Sequence, residues 1–292
     1  MNFKINSTDM SFSFSDFGGE LISAVSKEGL EYIWQGDERS WNRHAPILFP
    51  FCGRLKNSEF SYKGKGYEMG CHGFLPKSVM KANRIADNKI EFSLTDSEST
   101  RAIFPFPFKI TVCYEAKGST LDISTDIKNT GSEALPFMYG VHPGFNIPLE
   151  SSLSLEDYYL DFGCDNALIT PLHEDKCFIA GLPSVYNFND GLFRLNESEL
   201  ESMGTAIFSH VSEEVKLFSP RGNHGVKIKY SDSFNYFCVW KFPSADASFV
   251  CLEPWSGIPQ DGILDEIIET RPSMARLAPG ETQNYTLSIT FI

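Results

Sequence analysis

The sequence has no excess of positive charge. Its 25 Lys and Arg stand against 38 Asp and Glu, a net charge of −13 over 292 residues. Nucleic acid and anionic membrane both require a basic surface, so neither is an expected partner. The opening MNFKINSTDMSFSFSDF holds no apolar run of signal-peptide length, and no later run reaches the length of a membrane span. A cytoplasmic location follows as an expectation. There is no CxxC pair. The seven cysteines, at 52, 71, 113, 164, 177, 238 and 251, are odd in number, and several lie inside apolar runs. They read as free thiols in a reducing compartment, not as a disulfide framework or a zinc site. No GxSxG occurs and no cysteine has a basic neighbour that would obviously lower its pKa, so a Ser or Cys nucleophile is not indicated. No Gly-rich loop follows a strand and opens a helix, which argues against hydride transfer and nucleotide chemistry. Linkers, repeats and composition shifts are also missing, and residues 1–292 read as a single domain.

What the chain does have is apolar bulk in short alternating runs. Hydrophobic residues make up 42% and aromatics 14%, with 25 Phe, enough for broad sheets packed face to face. Period-two alternation predicts strands over Lys89–Thr95, Phe108–Glu115, Thr120–Ile127 and Ala134–Val141, with turns at Lys117-Gly118-Ser119 and Asn129-Thr130-Gly131. Further strands are predicted at Ala206–Phe208, Val215–Phe218, Val226–Tyr230, Tyr236–Phe242 and Tyr285–Ile292. One short helix is expected after Asn196, whose side chain suits an N-cap, with acids in the first turn. The fold class is all-β, a large antiparallel β-sandwich.

Four polar residues interrupt apolar runs: Arg54, His72, His142 and Glu253. The stretch WKFPSADASFVCLEPWSG, 240–257, organises the rest. It turns through Pro243, Ser244, Ala245 and Asp246 and returns as Ser248–Leu252. Phe249, Cys251 and Glu253 then share one strand face, with Glu253 ending the strand, held extended by Pro254, and Trp255 two residues on. A carboxylate at the edge of an apolar surface holds its proton more tightly, which suits a general base, although a strand-end Glu facing water fits the same residues. Likewise Arg54 fits a structural ion pair, and His72 and His142 fit hydrogen-bonded loop histidines. The spacing of these groups matches no metal motif and an Arg repels cations, so no metal and no cofactor are expected.

The stretches PILFPFCGRL, HGF, GVHPGFNIP, VW…FVCLEPWSG and LAPGE, in this order from about Pro46 to the C-terminus, resemble the aldose 1-epimerase (galactose mutarotase-like) family. The HPGFN and CLEPWSG forms resemble its bacterial branch near the glucose-6-phosphate 1-epimerase relatives. The resemblance implies a β-sandwich with the site on one concave sheet, and interconversion of the α and β anomers of a hexose without a cofactor. It implies that Glu253 takes the proton of the C1 hydroxyl and that His142, kept charged, protonates the ring oxygen. Arg54 and His72 would hold sugar hydroxyls, with Lys77 and Trp255 as further substrate contacts. The expected partner is a small-molecule sugar, and the protein a monomer or homodimer.

Two departures from the family pattern stand out. Where relatives carry an acidic residue before the strand at Ala206, this chain reads Met203-Gly204-Thr205, with Glu201 near but out of alignment. Where relatives often have Arg two residues beyond HGF, Leu75-Pro76-Lys77 stands, leaving Lys77 as a loose substitute. Hexose-6-phosphate 1-epimerase and a catalytically weak carbohydrate-binding protein of the same fold are the alternative readings.

Overall fold

A computed structural model describes residues 1–173, 175–244, 247–262 and 266–292. The alternating runs become strands almost where alternation places them. Phe108–Lys117 and Thr120–Asn129 form a long hairpin, with inward positions buried and outward ones partly exposed. Thr282–Phe291 pairs along the hairpin's other edge. Together with Lys81–Ala86, Lys89–Thr95, Tyr159–Asp161, Leu192–Arg194, Glu214–Phe218 and Val226–Tyr230 these build a nine-stranded antiparallel sheet. A second, eight-stranded sheet centres on Phe249–Trp255, which pairs with Tyr236–Trp240 on one side and with Gly140–Val141 and Gly144–Asn146 on the other. Aromatic residues fill much of the large core: Phe49, Phe104, Phe108 and Phe137 are fully buried, and the Phe49 ring touches each of the other three. Packing on this scale is the main driving force for such a fold.

Three local expectations change. Ala134–Val141 is not one strand but two short ones, Leu135–Phe137 and Gly140–Val141, because the chain crosses from a two-stranded ribbon into the eight-stranded sheet. A helix at Glu98–Ile103 carries no apolar stripe, so alternation gives no sign of it; Ser97 caps it by accepting from the Thr100 N–H. Glu253 does not end its strand. The strand continues through Pro254 to Trp255. A proline is tolerated there because on the strand's far side the ladder pairs Trp255 with Gly140 and Phe249–Cys251 with Gly144–Asn146, and Pro254 falls in the gap between them. The helix after Asn196 forms as expected, over Glu197–Met203, with the Asn196 side chain accepting from the Glu199 N–H. The Ala245-Asp246 part of the expected turn lies outside the described residues. All seven cysteines are unpaired thiols, with Cys52, Cys238 and Cys251 buried.

Candidate active site

The strand Phe249–Trp255 presents two faces. Val250 and Leu252 enter the large core, whereas Phe249 and Cys251 belong to a separate small apolar cluster with Trp34, Trp41 and Trp240. Glu253 lies on this second face by the same alternation. Register then selects its neighbours. Cys238 stands opposite Glu253 on one side. On the other side the two paired stretches, at Gly140 and Gly144–Asn146, share one register that sets His142 opposite Glu253. Opposite residues of an antiparallel pair point to the same side, so the acid and the imidazole meet. His142 Nε2 lies 3.2 Å from Glu253 Oε2.

These groups form the floor of a cleft of about 650 Å³, lined also by Trp41, Arg54, His72, Trp240, Trp255 and Pro259. Glu253 is fully buried and neither of its oxygens has a hydrogen-bond partner; the same holds for His142 Nδ1 and Trp255 Nε1. Burial pushes the Glu253 carboxyl well above its ordinary range, with the neighbouring Trp255 indole pulling weakly the other way. Burial, reinforced by His72 and Arg43, pushes His142 well below the usual imidazole value. This corrects the expectation of a His142 that stays charged: an apolar wall, with Trp41 stacked on the ring at 4.9 Å, disfavours the imidazolium.

His72 is held by its backbone. It sits at φ 64 and its N–H donates to the Gly53 carbonyl, while the Gly53 N–H donates to His72 Nδ1 at 3.1 Å. The neutral ring therefore carries its proton on Nε2, as a donor. Burial and the Arg54 charge hold its pKa down to about 4, so the ring stays neutral at physiological pH. The next residue, Gly73, has φ +79, and a Cβ there would stand 2.2 Å from the Phe49 carbonyl oxygen. Gly73→Ala is expected to destabilise the protein by at least about 1 kcal/mol. Urea unfolding checks this, and a variant with an unchanged midpoint would contradict it.

Arg54 is exposed and lines the cleft. Lys77 does not reach it: its short 3-10 turn, Leu75–Lys77, directs the side chain into a neighbouring depression with Gly70 and Ser78. The missing acid beside Gly204 has a structural counterpart. Gly204, at φ +70, is covered by Lys176, whose Cβ stands 2.5 Å from the place of a glycine Cβ, and the Lys176 ammonium is bound by the Glu201 carbonyl. Glu201 and Asp175 line the cleft, so carboxylates are present there from other positions. Sequence reasoning did not single out Trp41, Trp240, Lys176 or Lys241 as site residues. Lys241 is buried and donates to Glu197 Oε1 and the Ser244 carbonyl, each at 2.8 Å. A lysine directly after an apolar strand was its only signal in the sequence; Trp41 gave none, since it sits in a polar irregular stretch.

The chain is thus a β-sandwich with a buried acid/imidazole pair at a cleft of about 650 Å³. Residues 2–290 match the model of the aldose 1-epimerase family, and the chain belongs to that family. It is 28% identical to Protein LacX, chromosomal, of Lactococcus lactis subsp. lactis, over the full length of both chains. Its fold is similar to a galactose mutarotase related enzyme from Lactobacillus acidophilus, with a TM-score of 0.93, 29% identity, and 100% of this chain and 97% of that one covered. A galactose mutarotase-like protein from Lactobacillus casei ATCC 334 gives a TM-score of 0.87 at 26% identity, with both chains fully covered. Among the described residues no helix is long and apolar enough to cross a membrane.

Proposed function

We propose that this protein is an aldose 1-epimerase that interconverts the α and β anomers of a neutral hexose by acid/base ring opening. The observation that carries the reading is the His142–Glu253 pair, 3.2 Å apart and buried on the floor of the cleft. Glu253 is the base for the C1 hydroxyl and His142 the acid for the ring oxygen. The two pKa directions fit this division once the groups are taken as a pair. Burial disfavours a second proton on the imidazole and disfavours loss of the last proton from the carboxyl, so the pair holds one proton between them. With the proton on His142 the pair is carboxylate and imidazolium. Ring opening delivers the C1 proton to Glu253 and the His142 proton to the ring oxygen, leaving carboxylic acid and neutral imidazole. Rotation about C1–C2 and the reverse transfers close the other anomer, and total charge never changes inside the apolar wall. Each transfer supplies about 10²–10⁴-fold. The His72 Nε2–H, the Trp255 indole N–H and Arg54 are donors for the sugar hydroxyls.

Polarimetry on freshly dissolved α-glucose, α-galactose and glucose 6-phosphate tests the reading. Neutral sugars are expected to be preferred. A phosphate dianion needs several convergent donors, and of the cleft's cations Lys241 is already tied to Glu197 and Lys176 to the Glu201 carbonyl. Arg54 with these two lysines is the observation that favours the hexose-6-phosphate alternative. A preference for the phosphate of about tenfold or more, lost in Lys176→Ala, would establish that alternative; no acceleration with any sugar would favour a binding protein.

A further inference from the structure

The pair that moves protons has a third neighbour that proton transfer does not use. Cys251 is one alternation from Glu253 on the same strand face, and the Cys251 sulfur, a His142 ring nitrogen and a Glu253 oxygen all lie within 4.8 Å of one another. All three residues are buried. Neither Glu253 oxygen has a hydrogen-bond partner, so the carboxylate in this space is unsatisfied by the protein. Gly144 stands opposite Cys251 and contributes no side chain to the crowd.

We propose that His142, Cys251 and Glu253 form a binding site for a zinc-class divalent cation, and that the bound ion blocks the site. The donor set selects the ion. One thiolate, one imidazole and one carboxylate suit a borderline-soft metal and not calcium or magnesium, which take oxygen ligands. Three protein ligands leave a fourth tetrahedral position, and two of them, His142 and Glu253, line the cleft. Bonds of about 2.0–2.3 Å place ligands of one zinc ion roughly 3.3–3.8 Å apart, so donor atoms that already lie within 4.8 Å of one another need to draw in by about 1–1.5 Å at most. The charge also balances. Binding releases the thiol proton and the proton held by His142 and Glu253, and the two resulting anions neutralise the dication in a buried place where net charge is disfavoured. Of the nearby cations, Arg43 is paired with Glu20 at 2.9 Å and Arg54 is exposed at the cleft wall. No ligand spacing in the sequence reports this site, because the imidazole comes from the connection between Gly140–Val141 and Gly144–Asn146, more than a hundred residues earlier.

The test is cobalt titration under anaerobic conditions, read by the thiolate-to-cobalt charge-transfer absorption, which does not depend on any sugar activity. One equivalent is expected to bind, with zinc displacing it. Losing a ligand should weaken binding at least as much as losing an outer partner of one, about 10–100-fold. Cys251→Ala is therefore expected to lose the band and to bind zinc at least about tenfold more weakly. Glu253→Gln, which keeps the thiol and the side-chain shape, is expected to show a similar loss of affinity. In the parent, zinc should abolish anomerisation and a chelator restore it, whereas Cys251→Ala should resist the same zinc concentration. Absence of the band, or a band that persists in Cys251→Ala and disappears in Cys71→Ala, would overturn the proposal. So would inhibition by zinc that is equal in parent and Cys251→Ala.

Discussion

Glu253→Gln is expected to lower kcat at least about a hundredfold while sugar binding survives. The amide keeps the shape and one acceptor but cannot take the C1 proton. The same substitution is expected to stabilise the fold above the carboxyl's unfolded pKa, because the amide takes no charge into the apolar wall. Neither Glu253 oxygen has a hydrogen-bond partner, and the carboxyl is raised by burial. A carboxyl whose folded pKa lies above its unfolded value loses stability as pH rises from the unfolded value through the folded one. The gain in Tm from Gln should therefore grow toward alkaline pH. Polarimetry and thermal melts across pH check both halves. A Gln variant that turns over normally removes Glu253 as the base, and one that melts lower at every pH removes the account of its burial.

The second large effect is expected at His142. His142→Asn should lower kcat by about 10²-fold or more, because the ring oxygen loses its proton donor. The pH profile distinguishes this from a packing defect. In the parent, kcat/KM should be bell-shaped. Activity is lost at low pH when the pair takes a second proton, late because His142 is depressed, and at high pH when the pair gives up its last one, late because Glu253 is raised. The two limbs belong to the pair and not to either residue. In the Asn variant the residual rate needs only an ionised Glu253, so it should rise with pH and show no alkaline decline. A parent profile that declines at neither pH extreme, or a variant that keeps both limbs, would exclude the paired mechanism.

Some of this was legible along the chain. Alternation placed Lys89–Thr95 and Val226–Tyr230 to the residue, and Asn196 announced its helix. Glu253 and His142 stood out because each interrupts an apolar run. Lys77 was misplaced by the same kind of reading: its distance from His72 in sequence is short, but the intervening turn at Leu75–Lys77 sends the two side chains into different depressions. The charge of His142 was misjudged because a pKa depends on what covers the ring, and its cover, Trp41, comes from a segment about a hundred residues away.

By itself the sequence determined the two periodic faces of each strand, the turns between strands, the aromatic mass of the core and the identity of the acid and the imidazole. These are local properties, set by backbone geometry and by hydrophobicity. Tertiary structure alone decided that His142 stands opposite Glu253, that Cys251 joins them, that Glu201 and Asp175 line the cleft in place of an acid beside Gly204, and that both catalytic candidates lie in an apolar wall. The physical reason is that period two fixes which way a side chain points and says nothing of its partner. Register is chosen jointly by strands far apart in sequence, through the packing of the faces they share.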